Sequence, residues 1–163
     1  MRKRDWDWWN DTDDMANTPI IPIQSEADEV SAKETVLVVD DEPMVRSLIV
    51  KIIRSLGYRV LEASGAAEAQ QLSSTNKEIS LLLTDFNMPQ TNGLELARWF
   101  QRKCPEIKVV IATGSLWELA NQVGEQEHVA ILPKPFDTLQ LGRMVQRLLG
   151  EMTVGGGSNN TGH

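Results

Sequence analysis

The stretch Thr35-Val36-Leu37-Val38-Val39-Asp40-Asp41-Glu42-Pro43 decides how the rest of the chain is read. Its first five residues are apolar or β-branched, with no polar alternation, which describes a short strand buried on both faces. Two carboxylates follow at once. Pro43 then marks a helix start, where its missing N–H costs little. A strand buried on both sides needs helices above and below it, so this stretch already points to an α/β layer architecture.

Outward from Pro43 the alternation continues. Val45, Leu48, Ile49, Ile52, Ile53 and Leu56 recur on one helical face, and Gly57 stops that helix. Residues 58–63 read as a second strand and 65–74 as a short helix. Residues 79–84 are a third continuous apolar run, followed by a helix over 93–103 that Pro105 ends. A fourth strand is expected over 107–112, a helix over 115–125, and a fifth strand over 129–132. Asp137 caps a last helix whose inner face holds Leu141, Met144, Val145, Leu148 and Leu149. Five buried strands alternating with five helices specify a parallel sheet with right-handed crossovers. In doubly wound sheets of this kind, ligands sit at the carboxyl ends of the strands.

Composition excludes several classes of function. The chain has 163 residues, 16 Lys and Arg against 23 Asp and Glu, and a net charge of −7. That balance argues against electrostatic DNA binding. No apolar run approaches the roughly 20 residues of a membrane span. Arg2, Lys3 and Arg4 are not followed by the apolar region of a secretory signal. A single cysteine, Cys104, allows no internal disulfide, and the expected compartment is the cytoplasm. The acidity is local: residues 1–34 hold nine acids against four bases, a net −5, which leaves −1 each for 35–150 and 151–163.

Residues 1–34 also carry Trp6, Trp8 and Trp9. With high charge and no periodicity, this segment reads as a disordered leader. Clustered tryptophans also suit a short docking element. Residues 151–163, with Gly155-Gly156-Gly157-Ser158, read as a flexible tail. Trp99 and Trp117 lie on expected helices and read as partly buried packing residues, with Trp117 the better candidate for a partner surface. Cys104 reads as a small hydrophobe, and neither His128 nor His163 has metal-ligand spacing.

The strand ends carry the chemistry. The first strand ends in Asp40-Asp41, the third in Asp85 and the fourth in Thr113, while the fifth leads into Lys134. Alone, an Asp-Asp pair after a strand is a turn and helix-cap signal. Together, neighbouring strands about 4.8 Å apart would gather three carboxylates into one crevice. Such like charges need protonation or neutralisation. A hard divalent cation with oxygen ligands supplies the latter, and Mg²⁺ typically uses one or two carboxylates with waters and a phosphoryl oxygen. With a mobile ammonium and a hydroxyl beside it, a carboxylate is equipped to attack a phosphoryl group and hold the product's charge.

Four pieces of the chain resemble the receiver domains of two-component response regulators. They are Val38-Val39-Asp40-Asp41-Glu42-Pro43, Leu83-Thr84-Asp85-Phe86-Asn87-Met88-Pro89 with Gly93, Ala112-Thr113-Gly114, and Leu132-Pro133-Lys134-Pro135-Phe136. They span nearly all of 35–150 in the family's order. The resemblance implies a flavodoxin-like (βα)5 fold, a doubly wound sandwich with strand order 2-1-3-4-5. It implies that Asp85 accepts a phosphoryl group from a sensor histidine kinase or a histidine phosphotransfer protein. Asp41 and Asp85 would hold Mg²⁺ (or Mn²⁺) directly, with Asp40 acting largely through water and Asn87 through its carbonyl. Thr113 and Lys134 would hold phosphoryl oxygens, and the Lys134-Pro135 peptide is often cis in the family. The downstream target would be a protein meeting the face of the fourth helix, fifth strand and fifth helix. Many members carry an aromatic switch residue where this chain has Ile131.

Other classes fit less well. A haloacid dehalogenase-like phosphatase needs an Asp two positions after its nucleophile, where this chain has Asn87. A flavodoxin needs a hydroxyl- and Gly-rich phosphate loop where this chain places Asp40-Asp41-Glu42-Pro43. A phosphorylation-independent adaptor stays open because of Ile131 and the Trp-rich segment. No independent substrate turnover is expected. With 13 residues after Gly150, too few for a DNA-binding unit, the expected output is protein contact.

Overall fold

The computed structural model describes residues 34–125 and 127–150, so the expectations for the tryptophan-rich leader and the C-terminal tail lie outside the described residues. Five strands, β1 (Thr35–Val39), β2 (Arg59–Ala63), β3 (Ile79–Asp85), β4 (Lys108–Thr113) and β5 (Ala130–Pro133), alternate with five helices. The helices are α1 (Pro43–Ser55), α2 (Ala66–Thr75), α3 (Gly93–Lys103), α4 (Leu116–Ala120) and α5 (Thr138–Gly150). All neighbouring strands pair in parallel, and the sheet order is β2-β1-β3-β4-β5. This is the doubly wound, flavodoxin-like order.

Each central strand sends alternate side chains into two separate cores. Leu37, Val39, Leu82 and Ile111 join Ala69 of α2, Leu96 and Phe100 of α3 and Leu119 of α4. Val36, Val38, Leu83 and Val110 join Ile49 and Ile53 of α1 and Leu141 and Val145 of α5. Burial on both faces is the physical reason these strands read as unbroken apolar runs. A register shift between Thr35 and Val36 skips Ser80, so that Leu81 and Leu83 face the α1–α5 side.

The helix ends follow local chemistry. Pro43 opens α1, and Gly57 follows it with φ 86°, a left-handed conformation that glycine adopts without a Cβ penalty. Asn92 caps α3 by accepting from the Glu95 N–H at 2.9 Å. Asp137 caps α5 reciprocally with Gln140: the Gln140 N–H donates to Asp137 Oδ1 at 2.7 Å, and the Asp137 N–H to Gln140 Oε1 at 2.9 Å.

Two expectations fail on α4. The helix spans Leu116–Ala120, not 115–125, because the chain turns at Asn121 and Gln122. Beyond the turn, Glu127 takes the Gly124 N–H at 2.9 Å and pairs with Arg98 of α3, while Arg98 Nη2 donates to the Gln122 carbonyl at 2.9 Å. These tertiary bonds replace the helical ladder. Trp117 is 80% exposed and not a packing residue, since one short turn anchored by Leu119 leaves the opposite side in water. Trp99 does pack against the core, with Lys103 Nζ 4.2 Å from its ring centroid. Cys104 is exposed at the end of α3 and does not act as a core hydrophobe.

Candidate functional site

Strand register explains why the site residues meet. Val39 pairs with Thr84, so Asp40 lies level with Asp85. Asp85 pairs with Ala112, which puts Thr113 one residue further along. Thr113 pairs with Pro133, and Lys134 follows. Asp85 and Thr113 are the last residues of their strands, which each run one residue beyond the expected end. Each candidate side chain therefore sits at the carboxyl edge of the sheet, on a backbone the ladder holds still.

Asp85 is 7% exposed and Asp40 and Thr113 1% each. Lys134 Nζ lies 2.8 Å from Asp85 Oδ1. The Lys134 N–H donates to the Thr113 carbonyl at 2.8 Å, and the Lys134-Pro135 peptide is cis. Thr113 Oγ1 accepts from the Ser115 N–H at 3.0 Å, which leaves its own proton for another acceptor. Asp41 is half-buried and Asn87 exposed at the mouth of the crevice. Gly93 approaches from behind: its N–H donates to the Phe86 carbonyl at 2.9 Å.

Burial pushes the Asp40 carboxyl above the usual carboxylate range. The Glu42 N–H donating to Oδ1 at 2.8 Å and the Lys134 charge pull it down, while the Asp85 and Asp41 charges push it up. Asp40 thus feels both neighbouring carboxylates. A raised folded-state value means that folding favours the protonated acid. The Asp40 contribution therefore destabilises the domain as pH rises from the ordinary carboxylate value through the raised one. We expect Asp40→Asn to raise the melting temperature in metal-free buffer at neutral pH by about 3 °C. The difference should vanish below about pH 3.5, where both side chains are neutral. Calorimetry at the two pH values checks this, and an unchanged or lower neutral-pH melting point would refute it.

The candidate metal-ligating atoms of Asp40, Asp41, Asp85 and Asn87 are all oxygens, the chemistry a hard divalent cation requires. Among the described residues, no group of three His, Cys, Asp or Glu side chains is close enough to hold a metal unaided. Ile131, at the position of the aromatic switch, packs against the α2–α3 side of the core. The sequence reading missed Arg46, whose Nη1 donates to the Asp40 carbonyl at 2.6 Å.

Residues 36–146 match the family model of the response regulator receiver domain. The chain belongs to this family. It is 33% identical over 121 residues to a chemotaxis protein CheY homolog of Campylobacter jejuni, covering 70% of this chain and 91% of that one. It is 32% identical over 125 residues to the sensor kinase CckA of Brucella abortus, covering 76% of this chain but 13% of the kinase. Among solved structures, response regulator protein TrrA of Thermotoga maritima, in complex with Mg²⁺ and BeF, superposes with a TM-score of 0.61. That pair shares 27% identity, covering 71% of this chain and 99% of TrrA. The receiver fold, its two-component signalling class and the single-receiver architecture over 36–146 follow from these matches together with the sheet order. Among the described residues, no helix is long and apolar enough to cross a membrane.

Proposed function

We propose that the chain is a phosphorylation-controlled signalling receiver of the cytoplasm, with Asp85 as phosphoacceptor. The observation that carries this reading is the buried Asp85 carboxylate, paired at 2.8 Å with Lys134 at the strand ends. Asp85 attacks phosphorus, an O–P bond forms, and the bond to the phosphohistidine nitrogen breaks with its electron pair left on the imidazole. Lys134 neutralises charge on a phosphoryl oxygen, and the Thr113 hydroxyl donates to another. Asp41 and Asp85, with Asp40 through water and the Asn87 carbonyl, would hold Mg²⁺ (or Mn²⁺). The bound cation supplies charge neutralisation at the phosphoryl oxygens. The role is that of a phosphoacceptor without independent substrate turnover. A sensor histidine kinase or a histidine phosphotransfer protein is the donor. The test is incubation with acetyl phosphate: the intact mass should rise by one phosphoryl group with Mg²⁺ and stay unchanged in EDTA. A wild type that never gains the group refutes the reading.

A protein donor needs a surface beside the crevice. Met44 (87% exposed) and Leu48 (58%) on α1 provide one, and α1 begins two residues after Asp41. Replacing both by Glu is expected to slow transfer from a phosphorylated protein donor about tenfold or more and leave acetyl phosphate labelling intact. Equal losses with both donors would refute the docking role.

The output surface is the face of α4, β5 and α5, where Leu116 and Trp117 are exposed. Ile131 in place of an aromatic favours a second reading, a phosphorylation-independent adaptor. Comparing the affinity for the downstream protein with and without a beryllofluoride mimic separates the two. A switch binds differently in the two states, and an adaptor does not.

A further inference from the structure

The Asp40–Asp41 turn is fixed from several directions. The Asp40 N–H donates to the Ala63 carbonyl of β2 at 3.2 Å, and Asp40 Oδ1 takes the Glu42 N–H. The Asp40 carbonyl accepts from Arg46 Nη1 at 2.6 Å, a short, charge-assisted bond. That carbonyl belongs to the peptide unit whose nitrogen is Asp41. Its orientation sets the direction in which the Asp41 side chain leaves the backbone.

The guanidinium is itself held in place. Arg46 lies on α1, is 18% exposed at its side chain, and places Nε 3.8 Å from Glu62 Oε2 on β2. Glu62 Oε1 also lies 3.8 Å from Arg54 Nη2. A chain of charges thus runs from α1 across β2 back to the carbonyl before Asp41. Exposed ion pairs contribute little stability, so the effect of this chain lies in orientation. A guanidinium held from a second side has one direction left for its remaining donors.

From this geometry we infer that Arg46 is a positioning residue for divalent-cation binding, acting by locking the Asp40–Asp41 peptide plane so that the Asp41 carboxylate faces the crevice. Arg46 touches neither the metal nor the phosphoryl group. Removing it leaves the carbonyl free to rotate toward water, and the Asp41 carboxylate then spends time turned away from the site. The inference rests on the metal-binding part of the proposed function.

Calorimetric titration of the full chain with Mn²⁺ alone tests it, alongside melting curves in metal-free buffer. Arg46→Ala is expected to weaken Mn²⁺ binding about tenfold, as removal of groups that orient metal ligands does. Arg46→Gln keeps more of the stem but falls short of the carbonyl, so it should lose the same factor. Arg46→Lys still offers one donor and should recover part of the loss. If Arg46→Ala is unfolded at the titration temperature, Arg46→Gln carries the comparison. Folded Ala and Gln variants that bind Mn²⁺ like the wild type overturn the inference and leave the metal site standing. A wild type that binds no Mn²⁺ overturns the metal site and the inference together.

Discussion

Asp85→Asn is expected to abolish phosphoryl uptake from acetyl phosphate, lowering the rate by about three orders of magnitude or more, while the domain stays folded. An amide nitrogen or oxygen is a far poorer nucleophile than a carboxylate oxygen, and no other acid takes its place. Asp40 is buried and held by the Glu42 N–H, and Asp41 stands beyond it at the half-buried edge. The fold should survive because Lys134, 27% exposed at its side chain, turns to water when its partner is neutral. Loss of a charge also relieves the repulsion on Asp40. Mass spectrometry for the adduct and a melting curve for the fold check the two halves separately. Residual labelling at the wild-type rate would move the acceptor elsewhere.

Gly93→Ala is expected to have the largest effect on stability. A Cβ at Gly93 would stand 2.2 Å from the Asp85 carbonyl oxygen and 3.1 Å from Phe86 Cα, both backbone atoms. No side chain can move aside to accept it. Either α3 retreats, breaking the Gly93 N–H bond to the Phe86 carbonyl, or β3 shifts and carries Asp85 with it. Overpacking against a flexible side chain typically costs 1–3 kcal/mol. Against the fixed backbone at the end of β3, a loss of about 3 kcal/mol or more is expected, read as the change in the urea midpoint. Because β3 carries Asp85, any folded remainder should also label slowly. A stability within about 0.5 kcal/mol of wild type would contradict the packing described here.

The sheet and its site were legible in the sequence for one reason. The central strands β1, β3 and β4 are buried on both faces, so each apolar run ends at the carboxyl edge of the sheet, and the residue at that edge is the candidate site residue. Asp40, Asp85, Thr113 and Lys134 all sit at strand ends, and the parallel register puts Asp40 level with Asp85, Thr113 one residue further along and Lys134 one beyond that. The fourth helix was not legible. Leu116, Leu119 and Val123 recur at helical spacing, yet the helix ends at Ala120. What ends it is Arg98, 29 residues from its partner Glu127, and no local pattern records a bond of that separation. The same long reach hid Arg46 on α1, whose inferred positioning role involves Glu62 on β2. Its one sequence signal is a basic residue five positions after Asp41, which a helical-face reading assigns to solvent. The bulge at Ser80 was invisible as well, since one serine near the start of an otherwise apolar run carries no mark of a register shift.

On the proposed function, Asp85, with Mg²⁺, is the point at which a phosphoryl group is received and sensed. Titrating Mg²⁺ with beryllofluoride into the isotope-labelled full chain, followed by amide NMR, tests it most directly. Saturable shifts are expected at Asp85, Thr113 and Ser115 that extend along Leu116–Ala120, require both components, and are absent in Asp85→Asn. Shifts that persist in Asp85→Asn, or a wild-type spectrum that does not respond, would contradict it.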